Sequence, residues 1–335
     1  MKQLTIGRRM SGLSLVELLI GMTLGLIVMA GVATVFTSTG TTNRTNENLA
    51  RLQESARMAF SIVSRDVRDA GLNDCGRITQ VMNVLNGAAA LPWANWVGGL
   101  QGYEDGAAVP GLASGAAAGQ RVGTEDAVRI MKGDASTTVS VVAHNAAGTS
   151  FALSDTTDFT AGDIMVACDF VQATIFQAVA VTNGPNTLTH PIGAVVPGNC
   201  CTGLGYMATQ VPPAGRNYPY LTTSSVMRFD SVVWYIGNNG RPGSGGRSLY
   251  RQVLRGNALA VEEVLEGVSG MQLQYLVQGA TTYVNAAAVA DWRTVLAVRI
   301  NLTIDGVAQE FAADQTLQRV RRNFTNVVAL RNRVS

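Results

Sequence analysis

The sequence predicts an α+β fold in which one long N-terminal helix packs on a mainly antiparallel β domain. Proline is absent from residues 13–70, so one uninterrupted helix can run through them. The first half of that segment is apolar, and its second half has apolar residues at steps of three and four, which is typical of an amphipathic helix. From residue 72 onward, short runs with the alternation of strands lie in a chain rich in Gly, Ala, Thr and Val.

Composition excludes several classes of protein. The 335 residues carry 25 basic and 23 acidic side chains, and this net charge of +2 gives no reason to expect direct nucleic-acid binding. Hydrophobic residues make up 47%, which excludes a disordered chain. Only one long uncharged apolar run exists, so a polytopic membrane protein is also excluded. The length allows a membrane segment plus one or two folded domains.

The apolar half of the helix has the length of a membrane span. Residues 18–36 are nineteen consecutive residues without charge, which at about 1.5 Å per residue nearly cross a hydrocarbon layer of about 30 Å. Lys2, Arg8 and Arg9 precede the span, and no basic residue follows it at once. We therefore expect the amino end in the cytoplasm and the body outside. A secretory signal peptide, a twin-arginine signal and a plain signal anchor are alternatives.

None of these alternatives explains Glu17. A charged side chain at the centre of a membrane helix costs about 2.5–3.5 kcal/mol on insertion scales, and less near the interface, so a carboxylate there needs a partner or a role. A glycine at position 12 indicates cleavage after Gly12, which would place a new amine at Leu13, one helical turn from Glu17. In an assembly, Glu17 of one subunit can pair with the terminal amine of a neighbour and set the axial register.

The segment from Gly12 to Ile20, GLSLVELLI, resembles the type III signal of type IV pilins and type II secretion pseudopilins. The resemblance implies cleavage after Gly12 by a membrane-embedded prepilin peptidase and N-methylation of Leu13. It also implies that Glu17 is the glutamate that this family carries at the fifth mature position. Leu13 departs from the phenylalanine that is usual at the first mature position.

The second half of the helix predicts a domain-facing stripe. Its apolar positions are Leu49, Leu52, Ala56, Phe60, Val63, Val67 and Ala70, and much of the opposite face carries Arg51, Glu54, Arg57, Arg65, Asp66 and Asp69. Gly71 and Asn73 supply a C-terminal stop. The predicted domains are therefore a leader at 1–12, a transmembrane or pilus-core helix at 13–42, the amphipathic half at 43–71 and a β-rich periplasmic domain at 72–335.

Nine segments of this domain read as strands. They are Ala127–Met131, Thr137–Ala143, Asp163–Phe170, Ala173–Val181, Val226–Ile236, Ser248–Leu254, Gly270–Val277, Thr294–Ile304 and Asn326–Leu330. A short helix is expected at Ala308–Val320, and Asn83–Thr124 is expected to form loops or insertions. The glycine-rich stretch Gly237–Gly246 lacks the lysine and the following helix of a phosphate loop, so it predicts a hairpin turn.

Four short motifs are similar, in order, to those of PilW-type minor pilins. They are RDAGLNDCG at 68–76, LYR at 249–251, EGVSGMQLQY at 266–275 and VALRNR at 328–333. The resemblance implies a pilin-like fold and a minor pilin that primes or caps type IV pilus assembly, supporting twitching motility, adhesion or DNA uptake. The chain would lie in the inner membrane as a single-pass protein and then in the pilus, at its tip.

The partners implied are other minor pilins, the major pilin, the inner-membrane assembly platform, the prepilin peptidase and, before assembly, membrane lipid. Two alternatives stay open. The first is a J-type minor pseudopilin of a type II secretion system, a relative of the PilW type. The second is a singly anchored periplasmic enzyme or binding protein.

The four cysteines, Cys75, Cys168, Cys200 and Cys201, lie in a domain expected outside the cytoplasm, where disulfides form. Three pairings are possible. Because a direct bond between sequence neighbours closes a small ring, we expect Cys200 and Cys201 each to pair with Cys75 or Cys168. Zinc is the weaker alternative, since the spacing lacks two Cys-x-x-Cys knuckles.

Residues suited to catalysis are scarce, so we expect no enzyme activity, no cofactor and no metal. No Gly-x-Ser-x-Gly motif surrounds a serine. We expect the two histidines, His144 and His190, at the surface or in turns. Three acids could approach a cation but lack an EF-hand frame: Asp155, Asp158 and Asp163. Three basic residues are expected on a solvated face rather than in a DNA-binding site: Arg319, Arg321 and Arg322.

Overall fold

The computed structural model describes residues 14–71, 74–76, 80–193, 195–207, 215–311 and 317–333. The α+β class is confirmed: a long helix, α1 (Leu15–Arg68), packs on a mostly antiparallel β domain. The strands of the described residues are β1 Val81–Asn83, β2 Leu100–Tyr103, β3 Ala127–Gly133, β4 Val139–Asn145, β5 Ser150–Leu153, β6 Ile164–Cys168, β7 Ala173–Gln177, β8 Ala180–Asn183, β9 Asn186–Thr189, β10 Ser225–Asn238, β11 Arg247–Arg255, β12 Ala258–Glu266, β13 Val268–Val277, β14 Val295–Phe311 and β15 Leu317–Ala329.

Contacts divide the chain into two compact units, one up to Arg51 and one from Leu52 onward. Helix α1 contributes its first part to the former and its last part to the latter. The domain boundaries expected from the sequence stay a prediction.

The larger sheet of the second unit is organised around β10. One end of this strand pairs antiparallel with β4 and β6, and its other end pairs antiparallel with β3 and β11. Beyond β6 the sheet continues with β7 and then β1, and β7 and β1 pair in parallel. Beyond β4 it continues with β5, β9 and β8 in that order. Its strands β6 and β7 are buried along their whole length, because apolar residues occupy nearly every position.

The smaller sheet has the order β13-β14-β15 and is antiparallel throughout. Its pleat follows the sequence alternation, since Met271 and Leu273 are buried while Gln272 between them is exposed. The two sheets are joined by carboxylates that precede β3. Asp126 Oδ2 accepts a hydrogen bond from the Leu273 amide at 2.7 Å, and Glu125 Oε2 accepts one from the Met271 amide at 2.9 Å.

The last part of α1 buries the apolar stripe that the sequence predicts. Side chains that are 3% exposed or less include Leu52, Ala56, Ala59, Val63, Val67 and Ala70. Leu49 and Phe60 are only half-buried, so the stripe is narrower at these two positions than expected. Burial of this stripe, rather than helix propensity, is what holds a helix of this kind on its domain.

Two expectations about the β domain are corrected. The short helix expected at Ala308–Val320 is wrong, because β14 extends to Phe311 and β15 begins at Leu317, with residues 312–316 outside the described part of the chain. The cross-strand pairing of Gln309 with Arg319 continues the hairpin and overrides local helix propensity. Asn83–Thr124 is not all loop, since it contains β2. The hairpin expected at Gly237–Gly246 is confirmed by the pairing of β10 with β11.

Candidate assembly site

The first half of α1 exposes its whole apolar surface. Every large apolar side chain from Leu15 to Phe36 is between 52% and 80% exposed. The helix is long and apolar enough to cross a membrane, judged by its length and composition. Such a surface indicates single-pass membrane anchoring, because a contiguous apolar patch of this size is covered by lipid or by other apolar helices in a working protein.

Threonine hydroxyls on this half are satisfied within the helix. Each donates to a carbonyl oxygen three or four residues earlier: Thr23 to Ile20, Thr34 to Gly31, Thr37 to Ala33, Thr39 to Val35 and Thr42 to Ser38, at 2.7–3.0 Å. A satisfied hydroxyl does not need water. These side chains therefore fit an apolar environment although they are polar.

Glu17 lies in the first turn of α1 and is exposed. Among the described residues its carboxylate has no hydrogen-bond or ion-pair partner. A negative charge is favourable at a helix N-terminus, where free backbone N–H groups carry partial positive charge. Gly12 and Leu13 lie outside the described residues, so cleavage and methylation stay predictions.

Asp66 fixes the last part of α1 to the larger sheet. One carboxylate oxygen accepts from the Lys132 ammonium of β3 at 2.7 Å, and the other accepts from the Trp234 indole N–H of β10 at 2.9 Å. The Lys132 and Asp66 side chains are only 13% and 16% exposed, and Trp234 is completely buried. We call these three residues the Asp66 clamp. Asp66, expected on the polar face of the helix, therefore contacts the sheet, and no local pattern in the sequence indicates this contact.

The end of α1 is tied to the C-terminal segment. The amide of Arg331 donates to the carbonyl of Arg68 at 2.9 Å, and the Asn332 side chain donates to the carbonyl of Gly71 at 2.8 Å. Gly71 has φ +71°, a left-handed conformation that suits glycine, and its N–H donates to Met131 of β3. A Cβ on Gly99 would lie 2.4 Å from the Gly71 Cα, so only glycine fits there.

The cysteine pairing differs from the one expected. Cys75 is bonded to Cys168, and Cys200 is bonded to its neighbour Cys201, so the expectation that Cys200 and Cys201 pair with the other two is wrong. The reason is tertiary placement. Cys75 and Cys168 meet in one apolar cluster, with Cα atoms 5.9 Å apart, whereas Cys200 and Cys201 lie in another cluster. The first bond ties the segment after α1 to the end of β6.

His144 and His190 form a pair inside the β domain, and the expectation that both lie at the surface or in turns is wrong. His190 is completely buried and His144 is half-buried, with their Nε2 atoms 3.1 Å apart. Because His144 Nδ1 accepts the Tyr220 amide, its Nε2 carries the proton and donates to His190. Burial lowers the pKa of His144 to about 4. Burial and, secondarily, the His144 imidazole lower the pKa of His190 to about 3, so both rings are neutral.

The acids weighed for cation binding act on local turns. Asp155 accepts from the amides of Thr156 and Thr157, and Asp163 accepts from that of Thr160. Within the described ranges, no group of three or more His, Cys, Asp or Glu is placed to hold a metal ion.

The basic residues of β15 make contacts inside the protein. Arg321 forms an ion pair with Asp305, and the Arg319 guanidinium donates to the carbonyl of Gly306.

Residues 233–332 match the family model described as Type IV Pilus-assembly protein W, PilW. No curated protein and no solved structure matches the chain. The matched region extends from β10 through the smaller sheet to Asn332. It confirms the PilW resemblance over residues 233–332, and it supports a role connected with type IV pilus assembly.

Proposed function

We propose that this chain is a minor pilin that primes or caps the type IV pilus and so supports twitching motility, adhesion or DNA uptake. The PilW match supports a role connected with the type IV pilus, and the exposed apolar half of α1 is the observation that supports a role as a pilus subunit. A segment without a partner in its own chain is suited to lipid before assembly and to a bundle of like helices afterwards. The internally bonded threonines fit both environments.

Glu17 would set the axial register of the subunit when its helix moves from lipid into the bundle. Lipid is a poor environment for a carboxylate, whereas a neighbouring subunit's terminal amine offers an opposite charge. Cleavage after Gly12 and methylation of Leu13 would produce that amine one turn away. The other minor pilins, the major pilin, the assembly platform and the prepilin peptidase are then the partners, and the inner membrane, followed by the pilus tip, is the location.

The test compares Glu17→Ala with the control Glu47→Ala, which removes an acid from the same helix beyond the apolar segment. We expect both variants to reach the membrane, and only Glu17→Ala to be missing from sheared pili. Mass spectrometry of the mature wild-type protein should find an N-terminal methylated leucine. An intact Met1 in cells that contain the peptidase, or wild-type incorporation of Glu17→Ala, would refute the proposal. Co-purification with secretion pseudopilins instead of pilins would assign the chain to the J-type alternative.

A further inference from the structure

A groove of about 730 Å³ lies between α1 and β15 in the second unit. The helix side of the groove and the strand side meet where Asn326 donates to the Ser64 hydroxyl at 3.3 Å. Three apolar side chains, Ala56, Phe60 and Phe324, contribute to its lining. We call this feature the β15 groove.

The groove runs beside an open edge of the smaller sheet. Strand β15 pairs with β14 on one side only. The Leu330 amide donates back toward β14, to Leu296, whereas the Val327 amide donates to the Asn326 side chain. Because backbone groups alternate along a strand, the N–H and C=O groups of Thr325 and Ala329 also face outward. These groups therefore point to the side of β15 on which no strand pairs in the described part of the chain.

The opposite edge of the same sheet is closed. On β13 the amides of Met271, Leu273 and Tyr275 are satisfied by Glu125, Asp126 and Val284. Proteins commonly protect an edge strand with charges, and the first half of β15 has Arg319, Arg321 and Arg322. Residues 323–329 carry no charge, and Val327 is 50% exposed. The unprotected half of the edge is therefore the half that borders the groove.

The charged side chains that line the groove are both positive. Arg57 and Arg68 belong to its lining, and no acidic residue does. Neither guanidinium has a carboxylate partner in the described part of the chain. The two residues are eleven positions apart, which is about three helical turns, so both lie on one face of α1 about 16 Å from each other. An extended strand covers that distance in about five residues.

We propose that the β15 groove binds an extended, acidic segment of another protein, which adds to β15 as a fourth strand. Backbone hydrogen bonds to Thr325 and Ala329 and to the Val327 carbonyl would hold the segment. Carboxylates about four or six residues apart, an even spacing that places both on one face of a strand, would pair with Arg57 and Arg68, which selects acidic segments over basic ones. This partner class extends the proposed function without depending on it, because the groove involves neither Glu17 nor cleavage after Gly12.

The experiment uses the full chain in detergent micelles and a fluorescently labelled nine-residue peptide. The peptide alternates valine and threonine and has two glutamates four positions apart. We expect it to bind with an increase in anisotropy, and Arg57→Glu or Arg68→Glu to weaken binding at least tenfold. Hydrogen exchange should slow at the amides of Thr325 and Ala329. The matched control is Arg65→Glu, an exposed arginine of the same helix outside the groove lining, which should bind as wild type does.

Two further peptides separate charge from strand addition. A peptide with lysines in place of the glutamates should bind the charge-reversed variants better than wild type, and one with N-methylated backbone amides should not bind. Equal affinity for the lysine and glutamate peptides, or unchanged exchange on β15, would overturn the proposal. Binding of anionic phosphatidylglycerol vesicles through Arg57 and Arg68, with no peptide binding, would assign the groove to lipid and overturn it as well. None of these results alters the expected behaviour of Glu17→Ala.

Discussion

The Asp66 clamp predicts a large loss of stability for Asp66→Ala. Removing the carboxylate leaves the buried Trp234 indole N–H without an acceptor and removes the ion-pair partner of the Lys132 ammonium. The carboxyl of Asp230 stays near Lys132, since the Lys132 charge opposes the burial that raises the pKa of Asp230. An unsatisfied buried donor costs about 1–3 kcal/mol. Because Asp230 remains and Lys132 and Asp66 keep 13% and 16% exposure, the lost ion pair adds only about 1 kcal/mol, and we expect about 3 kcal/mol in total.

Urea unfolding of the full chain, followed by near-ultraviolet circular dichroism, measures this loss through the shift in midpoint. The signal reports on the packing of buried aromatic rings, and Trp234 is one of them. We expect Asp66→Asn to lower the free energy of unfolding less than Asp66→Ala does, because an amide oxygen still accepts from the Trp234 indole N–H.

The matched control for the clamp is Asp69→Ala, one residue after the end of α1. Asp69 is half-buried, and among the described residues its carboxylate has no side-chain partner. We expect its replacement to shift the free energy of unfolding by less than about 0.5 kcal/mol. If Asp66→Ala and Asp69→Ala gave the same shift, the clamp would not hold the helix to the sheet.

The buried histidine pair makes stability depend on pH. The pKa of His190 is lowered in the folded protein to about 3, so this group supports the fold fully above its ordinary pKa of 6.5 and progressively less as the pH falls toward 3. Between pH 7 and 5 His190 should cost about 2 kcal/mol in urea titrations and His144, whose pKa is lowered to about 4, about as much again, so His190→Gln should remove about half of the pH dependence. The Cys75–Cys168 bond closes a segment with a sequence separation of 93. Cys75→Ser should therefore lower the free energy of unfolding by about 4–5 kcal/mol, and an unchanged urea midpoint would contradict this chain-entropy argument.

The periodic features of the fold could be predicted from the sequence. The stripe from Leu52 to Ala70 has the helical period, and the run from Met271 to Tyr275 has the period of a strand, so each pattern indicates which face is buried. Most strands were found for the same reason. The exceptions include short strands such as β2, the nine-residue β12, which has no fully buried position, and residues 308–320, where helix and strand patterns overlap.

The contacts between polar residues could not be predicted in this way. Asp66 lies beside Val67 at the border of the stripe, and its role depends on Trp234, which is 168 positions away in the chain. His190 precedes a proline, as a turn residue would, yet its ring is buried against His144. The residues next to a polar side chain in the sequence look the same whether that side chain is exposed or is buried against a distant partner. Only the tertiary placement of its partner decides between them.

The connections of α1 to the β domain are unevenly distributed along the helix. The Asp66 clamp, the bonds of Arg68 and Gly71 to the C-terminal segment and the Cys75–Cys168 bond all fall within ten residues at its end. Closer to Leu52, apolar burial holds the helix, and the arginine-bearing face stays open beside β15. Because directional bonds fix orientation more strictly than apolar contact does, we expect the second unit to hold α1 most firmly at its C-terminal end.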